Sequence, residues 1–259
     1  EDGSVDGPLG IAVPIAHPLT VPECVELGRR AEAVGYESLW IPEVIGTEAF
    51  SVMAAVAGVT SRLRVGTGIV PIFTRTPSLL AMSAASLAQL APGRVALGLG
   101  ISTPTIIQAW HGMAHDRPLA RVREYIEIIQ QALAGERVTR EDGLYPLRNL
   151  RLALALPQER IPIYLAALNP RMLQLAGELA DGVFLTWIPE GQIPWVLGHL
   201  QTGAARVGRS LEDFVLACHI RVCVTDAPDS ATRLLQRELT GYATVDAYQR
   251  YFRHIGFGS

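Results

Sequence analysis

Short apolar runs alternate with longer amphipathic segments along most of the chain. Seven runs are apolar almost throughout, which is typical of parallel strands that are covered on both faces. We predict strands at residues 9–15, 38–41, 63–72, 94–99, 161–167, 182–186 and 214–224. After residue 224 the pattern predicts only helices.

Helix start signals lie between these runs. Thr20 and Glu23 have the spacing of a capping box and open a helix that ends near Gly35. Thr76–Pro77 and Asn169–Pro170 each place an N-cap residue before a proline at the first helical position. Such an alternation of strands and helices predicts right-handed crossovers and a parallel sheet.

We predict that the whole chain, residues 1–259, forms a single α/β domain. Residues 8–136 and 161–224 supply the strand–helix units, and residues 225–259 form C-terminal helices. Residues 137–160 interrupt the alternation, and Asp142-Gly143 at the centre of residues 138–147 is a strong hairpin signal. We interpret this segment as an insertion on the face that carries the chemistry.

Composition narrows the range of functions. Hydrophobic residues make up 49% of the chain and charged residues 18%, so a sizeable core is available. The net charge of −3 gives no electrostatic reason to expect nucleic-acid binding. The sequence contains no lysine, which excludes Schiff-base catalysis through a lysine amine and a P-loop lysine.

The cellular compartment follows from the cysteines and the apolar stretches. Cys24, Cys218 and Cys223 have neither metal-site nor disulfide spacing, which fits structural cysteines in a reducing compartment. The first residues are unlike a signal peptide, and polar residues break every apolar stretch before membrane-spanning length. We therefore expect a soluble cytoplasmic protein that does not bind membranes.

Several motifs in order resemble those of the luciferase-like oxidoreductase family, and in particular its coenzyme F420-dependent branch. The resemblance covers roughly residues 10–208. The motifs that carry it are Gly66–Pro77, Leu90–Gly100, Trp110–Gly112, Pro118–Tyr125, Pro162–Ala167 and Ala180–Phe184.

This resemblance implies a (β/α)8 TIM barrel that holds the cofactor ring at the carboxyl ends of its strands, as barrels of this kind generally do. It also implies a bulge in the third strand with a cis peptide bond between Gly68 and Ile69, which would press on one face of the ring. The implied cofactor is coenzyme F420, with FMN as the alternative. A homodimer is a further expectation from the family.

The strand count differs from that of a closed barrel. Seven parallel strands leave two open edges. We interpret this as the absence of a C-terminal part of the barrel, with strand 8, from this sequence; the alternative is an eighth strand that the pattern does not reveal.

Two polar positions at predicted strand ends are candidates for the reacting centre. Glu43 follows the second strand and is a hydrogen-bond acceptor or a polar wall for the ring, or else a solvated loop carboxylate. Thr103, after the fourth strand, stands where some relatives have a proton-donating Glu, and Ser102 beside it has a second hydroxyl. The resemblance also places Val44 where several relatives have a catalytic His, so that acid–base group is missing.

Two histidines are candidates for the missing proton donor. His17 follows the first strand and His111 follows the fourth, and a histidine titrates near neutrality. For each of them a structural or surface role is the competing interpretation. The other four histidines have no placement that favours function.

The fifth predicted strand ends at a helix start, where free N–H groups and the helix dipole favour anions. The resemblance assigns this turn to the phosphate-bearing tail of the cofactor. The residues concerned are Ala166, Ala167, Leu168 and Asn169, with Thr186 from the next strand as a further donor.

The leading hypothesis is therefore hydride transfer between the deazaflavin and a small unsaturated or carbonyl substrate, without a metal. The nearest alternative is an FMN-dependent monooxygenase of the same fold. A metal-dependent barrel lyase or hydrolase would need several Asp, Glu or His side chains at strand ends, and only Glu43 and His17 are placed there. A barrel that binds the cofactor without turnover stays open because Val44 and Thr103 replace acid–base groups.

Overall fold

The computed structural model describes residues 7–257. Ten strands occur in this order: β1 Gly10–Ala12, β2 Ser38–Ile41, β3 Arg64–Thr67, β4 Val70–Pro71, β5 Val95–Gly100, β6 Val138–Arg140, β7 Leu147–Leu150, β8 Ile163–Ala166, β9 Gly182–Thr186 and β10 Val215–His219. Helices connect them: α1 Val21–Ala33, α2 Ala49–Ala57, α3 Pro77–Leu90, α4 Pro118–Leu133, α5 Pro170–Leu179, α6 Ile193–Arg206, α7 Pro228–Ala243 and α8 Asp246–His254.

One parallel sheet organises the chain. Its strand order is β1-β2-β3-β5-β8-β9-β10, with β4 paired to β5, and every pairing in it is parallel. Within residues 7–257, β1 and β10 do not pair with each other, so the sheet is a seven-stranded half-barrel with two edges. This α/β architecture, a parallel half-barrel with a small antiparallel insertion, confirms the predicted fold class.

The helices begin where the local sequence predicts. Thr20 accepts a hydrogen bond from the N–H of Glu23, whose carboxylate accepts one from the Thr20 N–H at 2.8 Å, which completes the capping box. Thr76 and Asn169 cap α3 and α5 in the same way through side-chain oxygens, each followed by proline. These starts are fixed locally because the partners lie within one helical turn.

The third predicted strand, residues 63–72, is interrupted instead of continuous. β3 pairs with β5 up to Gly66–Ala96, and β4 resumes the pairing at Val70–Leu99. Three residues therefore lie between the two pairs on the third strand and two on its partner, which is a one-residue β-bulge. The buried Thr67 bridges the interruption, because its hydroxyl donates to the Gly98 carbonyl and accepts from the Gly98 N–H, both at 2.8 Å.

An aromatic cluster marks the inside of the half-barrel. The ring of Trp40 lies 5.6 Å from that of Tyr164 and 4.8 Å from that of Phe184, measured between centroids. Glycines make room for it, since a Cβ on Gly66 would lie 2.3 Å from the Trp40 ring and one on Gly98 would lie 2.8 Å from Phe184. The opposite strand faces, rich in Leu, Val and Ile, pack against the helices.

The seventh predicted strand is shorter than expected. Residues 214–224 were predicted as one strand, but β10 ends at His219. Ile220, Val222 and Val224 are more than 70% exposed and lie in the connection to α7. The apolar run therefore misled the prediction, since within the described residues β10 pairs only with β9 and nothing covers these side chains.

The insertion forms the predicted hairpin. β6 and β7 pair antiparallel, with a register shift between Val138 and Arg140. The hairpin lies along α4, where Arg140 pairs with Glu127 at 3.0 Å and the N–H of Leu144 donates to Glu124. Near its tip, the Tyr145 ring packs edge-on against Tyr125, in the N-terminal half of α4. The hairpin thus lies beside the strand–helix layer, with its tip toward the strands' carboxyl ends.

None of the helices in the described part of the chain is long and apolar enough to cross a membrane. The cysteines in this part of the chain are unpaired: Cys24 is buried, whereas Cys218 and Cys223 are exposed.

Replacing Thr67 by Val tests the role of its hydroxyl at the bulge. The substitution keeps the side-chain shape but leaves a buried N–H and carbonyl of Gly98 without that partner. We expect the free energy of unfolding to fall by about 1–3 kcal/mol, measured by urea titration. The control is Thr240→Val on the exposed face of α7, which should change it by less than about 0.5 kcal/mol. Equal losses in the two variants would contradict this role.

Candidate functional site

Side chains at the carboxyl ends of the strands can be assigned to the inside of the half-barrel from the sheet register. Residues two apart on a strand face the same side, and laterally paired residues also share a side. The aromatic cluster faces inward, and the register then identifies the last inward-facing residue of each main strand. We call this set of residues the inner rim. The inner rim consists of Ala12, Trp40, Gly66, Gly100, Ala166, Thr186 and His219.

Small residues leave the middle of the inner rim open. Gly100 and Ala166 lie next to each other, since a Cβ on Gly100 would be 3.4 Å from the Ala166 Cβ. The same Cβ would lie 2.8 Å from Cδ1 of Ile69, so the bulge carries the Ile69 side chain across Gly100. A flat group lying on this surface would contact Ile69 from one side, and no bulky rim residue stands at this point.

The bulge itself is held by the neighbouring strand. The Gly68 N–H donates to the Ile41 carbonyl at 2.8 Å, and the Glu43 N–H donates to the Ile69 carbonyl at 3.0 Å. The peptide bond between Gly68 and Ile69 is cis. This confirms the cis bond that the resemblance implied.

Glu43 is engaged in the scaffold. Its carboxylate accepts hydrogen bonds from the guanidinium of Arg75 at 3.0 and 3.3 Å and from the N–H of Ala49, the first residue of α2, at 3.1 Å. Arg75 also pairs with Glu48, the N-cap of α2, and lies over the Phe50 ring. The carboxylate predicted for the ring or the substrate therefore ties the ends of β2 and β4 to α2.

The two hydroxyls after β5 are placed differently from each other. Ser102 adopts a left-handed backbone conformation, with φ of 55°. Thr103 accepts a hydrogen bond from the Ile106 N–H at 3.3 Å and so supports the start of a π-helix at Thr105–Trp110. Both side chains are half-buried next to the end of β5, so their hydroxyls are close to a ligand that binds over Gly100.

The two histidines chosen from the sequence are not brought together. His17 and His111 are both exposed, and the structure gives neither ring a hydrogen bond within residues 7–257. His115, which the sequence gave no reason to choose, is held by two contacts. Its Nε2 lies 3.0 Å from the Ile101 carbonyl, and its ring stacks on Phe73 at 4.7 Å between centroids. The sequence did not indicate His115, because its contact with Ile101 joins residues 14 positions apart.

The turn between β8 and α5 has the predicted form. Asn169 caps the helix by accepting from the Met172 N–H at 3.0 Å, and Ala166, Ala167 and Leu168 lead from the strand to it. The turn therefore presents main-chain groups beside the small residues of the inner rim.

An arginine that the sequence analysis did not select lies at the end of β9, the strand next to β8. Arg221 donates to the Thr186 hydroxyl, stacks on the Trp187 ring at 4.1 Å from its centroid and pairs with Glu238 of α7 at 3.1 Å. Trp187 has φ of 54°, and its buried Nε1 has no hydrogen-bond partner among the described residues. The 35 residues between Arg221 and Thr186 explain why no sequence motif indicated the pair.

A cavity of about 360 Å³ lies beside the rim, between residues 72–76 after β4 and residues 112–114 before α4. Phe73, Arg75, Arg121 and Tyr145 contribute to its wall. Arg121 is itself paired with Asp116 at 2.8 Å and lies near the rings of Phe73 and Tyr145.

No group of three or more His, Cys, Asp or Glu side chains within residues 7–257 is placed to hold a metal ion.

Replacing Glu43 by Gln separates a scaffold role from a catalytic one. The variant loses the charge that pairs with Arg75, so the free energy of unfolding should fall by about 1–3 kcal/mol in urea titration. The matched control is Glu26→Gln, which removes an exposed ion pair with Arg30 and should cost less than about 1 kcal/mol. An unchanged stability together with a loss of turnover would instead assign Glu43 to the chemistry.

Comparison with known proteins places this site in a family. The model of the luciferase-like monooxygenase family matches residues 8–256. A protein of Mycobacterium tuberculosis that is named as a coenzyme F420-dependent oxidoreductase is 36% identical over 219 residues, which cover 78% of this chain and 62% of that protein. The 5,10-methylenetetrahydromethanopterin reductase of Methanolobus tindarius is 29% identical over 204 residues, which cover 78% of this chain and 61% of the reductase.

A solved structure shares the fold. The coenzyme F420-dependent tetrahydromethanopterin reductase from Methanopyrus kandleri superimposes with a TM-score of 0.74 at 26% identity, covering 82% of this chain and 65% of the reductase. The chain thus spans about three fifths of the length of the curated relatives it matches. Because the family model matches nearly all of it, this chain belongs to the luciferase-like monooxygenase family.

Proposed function

We propose that this protein is a coenzyme F420-dependent oxidoreductase that transfers a hydride between the deazaflavin and a small organic substrate. The observation that carries the proposal is the surface formed by Gly100 and Ala166, onto which the bulge projects Ile69. A planar ring would rest on Ile69 and on the Ala166 methyl group, since Gly100 has no side chain and a Cβ there would lie 2.8 Å from Cδ1 of Ile69. The names of the relatives support the choice of cofactor.

The residues around this surface fit the parts of the cofactor. Gly68 and Ile69 would support one face of the ring, and Ser102 and Thr103 would hydrogen-bond its polar edge. The turn of Ala166, Ala167, Leu168 and Asn169 would receive the phosphate-bearing tail through main-chain N–H groups at the start of α5. Thr186 and its partner Arg221 would supply the remaining donors, and the guanidinium would add the only charge-assisted contact in this set.

When bound, the deazaflavin supplies the two-electron hydride chemistry, and the chain supplies orientation and exclusion of water. The Ile69 side chain would cover the ring face toward β3, and the substrate would then approach from the opposite face. Rigid backbone holds this arrangement, since both Gly68 and Ile69 are hydrogen-bonded to the end of β2. Such preorganisation lets the chain fix the distance between the ring and the substrate carbon.

Titration of the protein with oxidised coenzyme F420 and, separately, with FMN tests the proposal by fluorescence. We expect coenzyme F420 to bind with at least about a tenfold lower Kd, which corresponds to roughly 1.4 kcal/mol. Tight binding of FMN alone would favour the monooxygenase of the same fold. Binding of neither cofactor would contradict the proposed function.

Replacing Gly100 by Leu tests where the ring lies. The added side chain displaces Ile69 and covers the surface beside Ala166, so the affinity for coenzyme F420 should fall by about tenfold or more. The control is Gly198→Ala in α6, where a Cβ has open space and should leave the titration unchanged. Circular dichroism of both variants checks that they fold. An unaltered Kd in the folded Gly100→Leu protein would place the ring elsewhere.

A further inference from the structure

His219 is the last residue of β10, and its position in the sheet directs its side chain into the half-barrel. It pairs laterally with Thr186, which lies two residues beyond the inward-facing Phe184 on β9. Because laterally paired residues share a side of the sheet, His219 faces inward with Thr186. Its neighbour Cys218 pairs with the buried Leu185 and lies on the opposite side of the sheet, where it is exposed.

The inner rim contains a single titratable side chain within residues 7–257, and it is His219. The other members are Ala12, Trp40, Gly66, Gly100, Ala166 and Thr186. The other acid–base candidates are placed differently, since Glu43 is bonded to Arg75 and the His17 and His111 rings are exposed. The acid–base group of the inner rim is therefore supplied by β10, the strand at one edge of the sheet.

The surroundings favour the neutral form of this imidazole. Burial lowers the pKa of His219 below its ordinary value of 6.5, and the nearby charge of Arg221 lowers it further, while Glu238 has the opposite effect. Arg221 donates to the His219 carbonyl at 3.4 Å, and within residues 7–257 neither ring nitrogen of His219 has a hydrogen-bond partner, so both can bind a ligand. A neutral imidazole has one nitrogen that accepts a proton and one that donates a hydrogen bond.

We propose that His219 exchanges a proton with the substrate oxygen, and that the substrate is therefore an alcohol or the corresponding carbonyl compound. This inference rests on the proposed function. In the oxidation direction, the free imidazole nitrogen takes the hydroxyl proton, the C–O bond becomes a double bond, and the hydride on the same carbon leaves to the oxidised deazaflavin. In the reduction direction, the imidazolium returns this proton to the alkoxide oxygen.

The choice of an oxygen-bearing substrate follows from the chemistry of the rim. Hydride loss from a carbon that bears a hydroxyl group requires a base for the hydroxyl proton, and a neutral histidine is suited to that task near neutral pH. Thr103, at the position of a proton-donating Glu in some relatives, is then not required to transfer a proton.

The experiment compares the wild-type protein with His219→Gln, His219→Ala and the control Cys218→Ser. Each is first titrated with oxidised coenzyme F420, and each is then assayed with primary, secondary and cyclic alcohols from ethanol to cyclohexanol. We expect His219→Gln to bind the cofactor as the wild type does and to lose on the order of 10²–10⁴-fold in turnover. Added imidazole should restore part of the rate in His219→Ala, where it has room, and not in His219→Gln.

A readout without turnover accompanies this assay. Protein labelled with ¹⁵N in its six histidines is observed by NMR with bound coenzyme F420, and the His219 signals are assigned by their loss in His219→Gln. Addition of trifluoroethanol, a hydroxyl compound that resists oxidation, should shift the His219 ring signals and leave those of His199 and His254 in place. In Cys218→Ser the shift should persist.

The pH dependence of turnover has a definite sign. Oxidation needs the neutral ring, so its rate should rise with pH through the lowered pKa of His219 and level off above it. This step should disappear in His219→Gln.

The outcomes separate the two proposals. Failure of the wild-type protein to bind the deazaflavin would overturn the proposed function. Cofactor binding without oxidation of any alcohol, without a shift of the His219 signals, or with full turnover in His219→Gln would overturn the inference alone.

Discussion

A single extra residue in the third strand is the constraint on which the candidate site depends. The pairing of β3 with β5 stops at Gly66 and resumes one residue out of step at Val70. Thr67 satisfies the main-chain groups that the interruption leaves unpaired, at buried positions where lost hydrogen bonds are costly. As a result Ile69 lies over Gly100 and becomes part of the inner surface.

The polar residues at the strand ends divide into those that hold the scaffold and those that face the inside. Glu43 and Arg75 pair with each other and join α2 to the ends of β2 and β4. Thr186 and His219 face inward, and Arg221 couples them to α7 through Glu238. Acid–base capacity therefore lies at one edge of the sheet, opposite the bulge.

Membership in the luciferase-like monooxygenase family is consistent with this division of roles. Members of one fold support different chemistry because the strand framework is retained while residues at the strand ends change. By the resemblance, Val44 and Thr103 take the places of a histidine and a carboxylate, and we propose His219 as the proton-exchanging group instead. The proposed cofactor surface and the proposed proton-exchanging group thus lie on different strands, the surface on β3 to β8 and the histidine on β10.

The sequence by itself determined the elements whose signals are local. The caps at Thr20, Thr76 and Asn169 act within one helical turn, so their patterns were sufficient to place α1, α3 and α5. The apolar runs were sufficient to predict seven parallel strands, because burial on both faces demands continuous apolar segments. The family motifs were sufficient to locate the cis peptide at Gly68–Ile69.

Only the tertiary structure decided which side chains meet. Glu43 is bound to an arginine 32 residues away, and Arg221 contacts a threonine 35 residues away. The end of β10 at His219 was hidden because the apolar run continues past it without glycine or proline, although no neighbouring strand covers those residues among the ones described. Local patterns record which residues favour a strand or helix, whereas strand ends and contacts at the site depend on packing between distant segments.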